Sequence, residues 1–336
     1  MNLFQGVLLT IVAGILAGNC MLPMKFLRRW EWENAWFVFT LVSLLFLPWM
    51  LAATFVTNLA TVYVALSWRQ ILVPAGFGFG WGIAQVLFGL SIARLGLALG
   101  YAVIIGLGAV LGTLVPLFVQ SRDTLDAGQL ALLLSGVAAM VAGIAVSAWA
   151  GKRRESGQRE KGPTTSGNYA VALALAILCG FMAPMLNYAF AFGQDIAQAA
   201  VRHGNSNARA AYAVWPVGLA GGLIPNLAYS VYLLTGRRTW DRFIPSRGEA
   251  WLASLMGVLW MGSMACYGVA ASFLGSLGTS IGWALFQIFM IMTANASGML
   301  TGEWRGASRA ARRLLWVGFG LLALATLIIS TANAAK

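Results

Sequence analysis

Long apolar segments dominate this chain and restrict the folds available to it. Ten segments of about 20 residues contain no charged side chain, and this is the length that an α-helix needs to cross a membrane core. They cover residues 4–24, 35–55, 70–91, 98–119, 129–150, 169–192, 210–234, 250–271, 278–298 and 314–333. Only 10% of the residues are charged, whereas a soluble domain carries about 25%. The sequence therefore predicts an all-α integral membrane protein with ten transmembrane helices.

The two halves of the chain carry the same short signatures in the same order. A Gly-x-x-Trp motif is followed at fixed spacing by an aromatic-Gly pair and a Leu-Gly pair, and a Met-x-Pro-Met motif precedes each set. The first set is Met21-Leu22-Pro23-Met24, Gly78-x-x-Trp81, Phe88-Gly89 and Leu95-Gly96, and the second is Met182-Ala183-Pro184-Met185, Gly257-x-x-Trp260, Tyr267-Gly268 and Leu274-Gly275. This internal similarity indicates a duplication.

One polar linker, residues 151–168, separates the first five apolar segments from the last five. It predicts a first five-helix repeat at residues 1–150 and a second at residues 169–336. Because five is odd, the two repeats cross the membrane in opposite directions. Inverted repeats are typical of carriers that alternate between two pseudo-symmetric states. Pro23 and Pro184 are the predicted hinges of that motion, because proline interrupts a helix.

The distribution of basic residues predicts the orientation. With ten spans, 17 of the 22 Lys and Arg residues fall in the loops on one side, which the positive-inside rule assigns to the cytoplasm. Both termini are then periplasmic, in a bacterial inner membrane. The same rule accounts for the net charge of +12, so no nucleic-acid partner is predicted.

Acidic residues avoid the middle of the predicted spans. All ten fall in loops or at span ends, so no carboxylate is placed at mid-membrane to carry a proton. Glu33, at the cytoplasmic end of the second span, and Asp195, at the outer end of the sixth, are the nearest candidates for proton coupling. For each of them, the role of an ordinary interfacial residue near a basic or polar neighbour is the favoured alternative. A site without buried charge suits a neutral substrate, because an unpaired buried charge costs several kcal/mol.

Neutral amides and aromatic rings remain as candidate substrate contacts. Amides both donate and accept hydrogen bonds, as sugar hydroxyls do, and aromatic rings can pack against the apolar face of a sugar. The candidates are Gln85, Gln287, Asn187, Asn19, Trp81, Trp260 and Tyr267. Helix packing is the alternative for the tryptophans, and hydrogen bonding to proline-freed carbonyls is the alternative for the asparagines.

Several short motifs occur in a fixed order along the chain. They are Pro23-Met24-Lys25, Trp30-Glu31-Trp32-Glu33, Leu47-Pro48-Trp49, Trp81-Gly82-Ile83, Gly89-Leu90, Arg94-Leu95-Gly96, Gly302-Glu303-Trp304 and Arg312-Arg313. In these motifs and their order the chain resembles the L-rhamnose–proton symporter family, part of the drug/metabolite transporter superfamily, over essentially its whole length. The resemblance implies an inner-membrane sugar carrier without a cofactor. Where rhamnose carriers have ionisable side chains near the ninth span, this chain has Thr279 and Phe286.

The sequence therefore predicts a secondary transporter that moves a small neutral sugar, L-rhamnose or a related monosaccharide, by alternating access. Coupling to protons is left open. The alternative within transport is an exporter of amino acids or other metabolites. A membrane enzyme or lipid scramblase is the alternative from another class, but the chain has one histidine and no metal-ligand spacing.

Overall fold

The computed structural model describes residues 3–95, 97–121, 125–158, 169–244 and 247–334. All of the regular structure in these ranges is helical. The α-helices are α1 (Leu3–Asn19), α2 (Trp32–Thr40), α3 (Leu47–Phe55), α4 (Leu59–Val64), α5 (Trp68–Leu95), α6 (Leu97–Pro116), α7 (Ala127–Gln158), α8 (Tyr169–Met182), α9 (Met185–Ala191), α10 (Gln194–Arg202), α11 (Asn207–Ala210), α12 (Val214–Gly236), α13 (Arg247–Leu274), α14 (Gly278–Leu300) and α15 (Arg309–Ala334). A π-helical segment, Leu41–Phe46, joins α2 to α3.

The apolar segments form the long helices. Nine stretches of the described chain are long and apolar enough to cross a membrane. One of them, Gly248–Leu300, has 53 residues and contains both α13 and α14, separated by the 3-10 turn Gly275–Leu277. Gly275 has a φ of +75°, a conformation that glycine adopts readily. The chain is a multi-pass helical membrane protein.

Both predicted hinge prolines lie at interruptions between helices. Pro23 is the second residue of the 3-10 turn Leu22–Phe26, which follows the end of α1 at Asn19. Pro184 is the N-cap residue of α9, two residues after α8 ends at Met182. Proline has no backbone N–H to continue a helix ladder. The repeated Met-x-Pro-Met motif therefore produces the same local feature twice.

Helices from each half of the sequence pack against helices from the other half. Helix α1 packs against α13 and α14, whereas α8 packs against α5 and α6. Helix α5 packs against α12, α2 packs against α13, and α7 packs along α15. The largest core cluster contains Trp36, Phe39, Trp81, Trp215 and Trp260, so residues from both halves share one interior.

Glycines bring α5 and α12 into direct backbone contact. A Cβ on Gly78 would collide with the Gly218 carbonyl, and one on Gly221 would lie 2.8 Å from the Phe79 nitrogen. A Cβ on Gly222 would lie 2.9 Å from the Trp81 ring. Small residues permit this close approach between membrane helices. The crossing also fixes Trp81 against α12.

The predicted linker begins as helix. Helix α7 continues to Gln158, eight residues into the segment that the composition marks as polar. Residues 159–168 lie outside the described residues, as do Gly96 of the repeated signature, Asp123, Glu160 and Lys336.

Candidate functional site

Trp81 and Trp260, the tryptophans of the repeated signature, lie face to face. Their ring centroids are 5.4 Å apart with 22° between the planes, and both side chains are buried. Trp260 also meets the edge of Phe39 at 6.1 Å. Packing thus brings together two positions that are far apart in the chain, and in this conformation each ring covers the other.

Asn187 and Tyr267 form a second buried cluster. The Tyr267 hydroxyl donates to Asn187 Oδ1 at 2.5 Å. Asn187 Nδ2 donates to the carbonyl oxygens of Gly112 at 2.8 Å and Thr279 at 2.9 Å. This network connects α6, α9 and α13 with the start of α14. Both amide protons of Asn187 bond to backbone carbonyls, as expected where helices are interrupted.

A cavity of about 680 Å³, here called the wide cavity, opens beside the start of α14. Its polar lining is mostly neutral: Gln120, Gln194, Gln198, Arg202, Asn207, Ser272, Ser276 and Thr279. Phe190 also lines it and stacks on Trp215 at 4.8 Å. Amides and hydroxyls beside an aromatic ring are groups that recognise a sugar.

A cavity of about 250 Å³, here called the narrow cavity, lies at the other end of α14. Its polar lining is Lys25, Tyr101, Ser147, Arg154, Asn295, Ser297 and Glu303. Thr279 of the wide cavity and Gly298 of the narrow one are 19 residues apart on α14, about 28 Å along a helix. Trp283, Phe286 and Gln287 lie between them, so packed aromatic residues separate the two cavities.

Three charged residues meet at the narrow cavity. Glu303 accepts hydrogen bonds from Lys25 Nζ and from Arg154 at 3.1 Å. Lys25 also donates to Thr301 Oγ1 at 2.9 Å, and Arg154 lies over the Trp304 ring at 5.1 Å. The cluster connects the turn after α1, the end of α7 and the segment after α14.

The charge of Glu303 is stabilised in this arrangement. Partial burial acts to raise the pKa of its carboxyl group, but the hydrogen bonds and positive charges of Lys25 and Arg154 outweigh burial and lower the pKa below its ordinary value of 4.5. The ion pairs are therefore intact above pH 4.5 and are lost only as the pH falls through the lower, folded-state pKa.

Asn19 lies next to the narrow cavity. Its amide donates to the Ile15 carbonyl at 2.9 Å and accepts from the Ser297 hydroxyl at 2.5 Å. Ser297 lines the cavity, as does Gly18, the neighbour of Asn19. Asn19 therefore lies at the edge of the narrow cavity. Asn187 and Tyr267, in contrast, lie near the start of α14, where both contact Thr279.

Gln85 and Gln287 retain unused hydrogen-bonding capacity. Gln287 is only 5% exposed, and Ile291, one helical turn further along α14, lines the narrow cavity. Gln85 is half-buried on α5, one turn after Trp81. Neither amide forms a hydrogen bond with another residue in the described part of the chain. These two amide groups are therefore available to form hydrogen bonds with water or a ligand.

The two coupling candidates lie apart from the cavities. Glu33 is fully buried and accepts from Arg237 at 3.0 Å and from the Thr239 hydroxyl at 3.0 Å. Asp195 is exposed and accepts from Gln70 at 3.2 Å. Its neighbour Gln194 lines the wide cavity, whereas Asp195 projects from a different face of α10.

Sequence reasoning missed the charged cluster at the narrow cavity and the amides of the wide cavity. In the sequence, Glu303 stands out only as part of the motif Gly302-Glu303-Trp304, and its partner Lys25 is 278 residues away, a separation that no local pattern reports. The four-residue spacing of Gln194 and Gln198 does predict that the two amides lie on one face of a helix.

A multi-pass helical protein with polar cavities at opposite ends of one interior helix, separated by packed aromatic residues, has the organisation of a membrane carrier. The comparison with known families agrees. The sequence profile of the L-rhamnose-proton symport protein (RhaT) family matches residues 2–335, so the chain belongs to this family. The family is one of transporters, in line with the prediction of a transporter rather than an enzyme.

Individual relatives match over nearly their whole lengths. The chain is 25% identical over 346 residues to the L-rhamnose-proton symporter of Mannheimia succiniciproducens, covering 99% of both chains. It is 25% identical to that of Shigella dysenteriae and 26% identical to that of Yersinia pestis, each over 341 residues and 98% of both chains. All three relatives are bacterial.

Proposed function

We propose that this protein is a secondary transporter that takes up L-rhamnose, or a closely related monosaccharide, together with protons by alternating access. The observation that carries the proposal is the pair of cavities at opposite ends of α14 with packed aromatic residues between them. The wide cavity of about 680 Å³ is the larger of the two, and the narrow cavity has about 250 Å³. Family membership and the relatives' names supply the substrate class.

Ten crossings in two inverted repeats are part of this proposal. A single helix of 53 residues would be about 80 Å long, far more than a bilayer core of about 30 Å. Helices α13 and α14 instead pack against each other, which supports two crossings. The packing of α1 on α13 and α14 is mirrored by that of α8 on α5 and α6. Such pairing supports a repeat at residues 1–150, a linker at 151–168 and a repeat at 169–336.

The proposed orientation makes the wide cavity periplasmic and both termini periplasmic. Lys25, Arg154 and the basic residues after α14 then lie on the cytoplasmic side, in accord with the positive-inside rule. In that orientation the wide cavity would face the periplasm, and we propose that the cluster of Lys25, Arg154 and Glu303 helps to close the path on the cytoplasmic side.

The proposed substrate path runs from the wide cavity inward past the aromatic residues. Trp215 Nε1 and the Ser263 and Ser280 hydroxyls are buried along it and have no partner among the described residues. Together with Gln85 and Gln287 they offer donors and acceptors for sugar hydroxyls. Trp81, Trp260, Asn187 and Tyr267 contact each other in this state, and we propose that they contact the sugar after their packing rearranges, with Asn19 at the exit.

Proton coupling is proposed to involve Glu33 or Asp195. Glu33 is the stronger candidate, because its two hydrogen bonds connect α2 to the segment after α12. Protonation of Glu33 would remove its ion pair with Arg237. Asp195 lies on a different face of α10 from Gln194 of the wide cavity and makes a single exposed hydrogen bond.

Uptake of radiolabelled L-rhamnose into proteoliposomes tests the function. Accumulation above equilibrium that requires an inward proton gradient is expected. Saturable uptake that only equilibrates would support a sugar facilitator and contradict coupling. The absence of saturable L-rhamnose uptake would contradict the proposed substrate. Empty liposomes reconstituted in parallel report passive leak.

Neutralising Glu303 is expected to impair accumulation more than exchange. The Glu303→Gln substitution removes both ion pairs at the narrow cavity and so weakens closure on the cytoplasmic side. We expect a roughly fivefold lower accumulation ratio, in keeping with the modest energies of solvent-accessible ion pairs, while sugar exchange without a gradient continues. Because the lowered pKa keeps Glu303 ionised above pH 4.5, wild-type closure should not vary between about pH 5.5 and 7.5.

Glu31→Gln is the matched control. Glu31 forms an exposed ion pair with Arg242 at 2.6 Å and does not line the narrow cavity. Accumulation by the Glu31 variant should equal that of the wild type. Equal accumulation by the Glu303 variant as well would contradict a closing role for the charged cluster.

A further inference from the structure

We propose that the groove between the end of α7 and the start of α15 binds the phosphate headgroup of an anionic phospholipid. The groove has a volume of about 500 Å³. It is lined by Trp149, Arg153, Arg309, Ala310, Arg313, Leu314 and Val317. This site is separate from both transport cavities and does not depend on the identity of the transported sugar.

The positive charge of the groove favours the binding of an anion. Arg309 and Arg313 lie one turn apart on α15, and Arg153 faces them from α7. None of the three forms an ion pair with a carboxylate whose side chain the structure describes. Three positive charges in one groove repel each other, and a phosphate offsets that repulsion. The planar guanidinium also presents paired donors that match phosphate oxygens.

The apolar part of the groove favours a lipid over free phosphate. Leu314 and Val317 continue the groove along α15 into the apolar span. Trp149, which lines the groove, is 51% exposed, as tryptophans at the level of lipid headgroups are. The Arg153 guanidinium lies 5.1 Å from the centre of the Trp149 ring, which holds the charge at the edge of the apolar surface. A phospholipid fits both parts of the groove, because its phosphate can contact the arginines while its acyl chains contact the apolar side chains.

The helices that form the groove are rigidly paired. A Cβ on Gly143 would lie 2.8 Å from Leu322 Cδ2, and one on Gly136 would lie 2.6 Å from Ile329 Cγ1. Together with the contact of Gly318 and Ser147, these contacts show α7 and α15 running antiparallel without a gap. The basic groove is therefore preformed where the two helices end, as in headgroup pockets between membrane helices.

Native mass spectrometry of the full-length protein in detergent tests the assignment. The probes are phosphatidylglycerol, phosphatidylcholine of the same chain length, and inorganic phosphate. Wild-type protein is expected to retain phosphatidylglycerol in preference to phosphatidylcholine. The Arg309→Gln/Arg313→Gln variant should lose this preference, by about fivefold for each arginine. Size-exclusion chromatography establishes that each variant is folded, and Arg313→Gln alone replaces the double variant if the latter aggregates.

The control variant is Arg28→Gln/Arg238→Asn, which removes the same charge at two exposed positions outside the groove. It should retain the wild-type preference for phosphatidylglycerol. Equal retention of both lipids by the wild type would overturn the proposal, as would equal losses in the two double variants. Displacement of phosphatidylglycerol by a matching concentration of inorganic phosphate would assign the site to free phosphate instead.

Discussion

Replacing Gly221 by alanine is expected to prevent the chain from folding. The added Cβ would collide with the Ala75 carbonyl oxygen and lie 2.8 Å from both the Ala75 carbonyl carbon and the Phe79 nitrogen. These are backbone atoms of α5, so no side-chain rotation relieves the contact. Over-packing of a core usually costs about 1–3 kcal/mol because side chains adjust. Separation of α12 from α5 should cost at least that much, and the yield of monodisperse protein should fall to near zero.

Fluorescence-detected size-exclusion chromatography of a fluorescent-protein fusion measures this effect directly. The matched control is Gly76→Ala in α5, two residues from Gly78, where an added Cβ meets nothing within 4 Å. Because alanine is favoured over glycine in helices by about 1 kcal/mol, the control should give at least the wild-type yield. A normal yield from Gly221→Ala would show that α5 and α12 do not cross as closely as described.

Replacing Gln287 by leucine is expected to abolish sugar uptake without loss of folded protein. Gln287 is buried between the two cavities and makes no hydrogen bond with another described residue. The substitution therefore removes no protein hydrogen bond and replaces a buried polar group by an apolar group of similar volume. If the amide contacts the sugar, loss of a buried hydrogen bond should lower transport by roughly tenfold or more.

Initial rates of L-rhamnose uptake and the midpoint of thermal unfolding separate the two effects. Gln5→Leu is the control, because Gln5 is an exposed residue of α1. Both variants should unfold at or above the wild-type temperature, but only Gln287→Leu should lose uptake. Wild-type uptake by Gln287→Leu would remove this residue from the substrate path.

Gln85→Leu makes the same comparison on α5. Gln85 is half-buried one turn from Trp81 and also makes no hydrogen bond with another described residue. Loss of uptake in both glutamine variants would place the path between α5 and α14. Survival of uptake in both would contradict the proposed substrate contacts as a whole.

The sequence predicted the helices because the formation of each helix depends mainly on residues that are close together in the chain. A run of uncharged residues is apolar whatever surrounds it, and proline interrupts a helix wherever it occurs. The apolar segments therefore became membrane-length helices, and Pro23 and Pro184 lie at breaks between them. Family membership also followed from short motifs, because their order along the chain is itself a property of the sequence.

Only the tertiary structure decided which side chains meet. Trp81 and Trp260 stack, Asn187 bonds to Tyr267 and to two carbonyls, and Lys25 meets Glu303. These partners lie on different helices, and their contacts depend on how closely the helices approach and how each is rotated. The sequence by itself determined a membrane protein of the rhamnose symporter family, whereas the two cavities and the charged cluster between distant segments arise from helix packing, which has no local sequence signal.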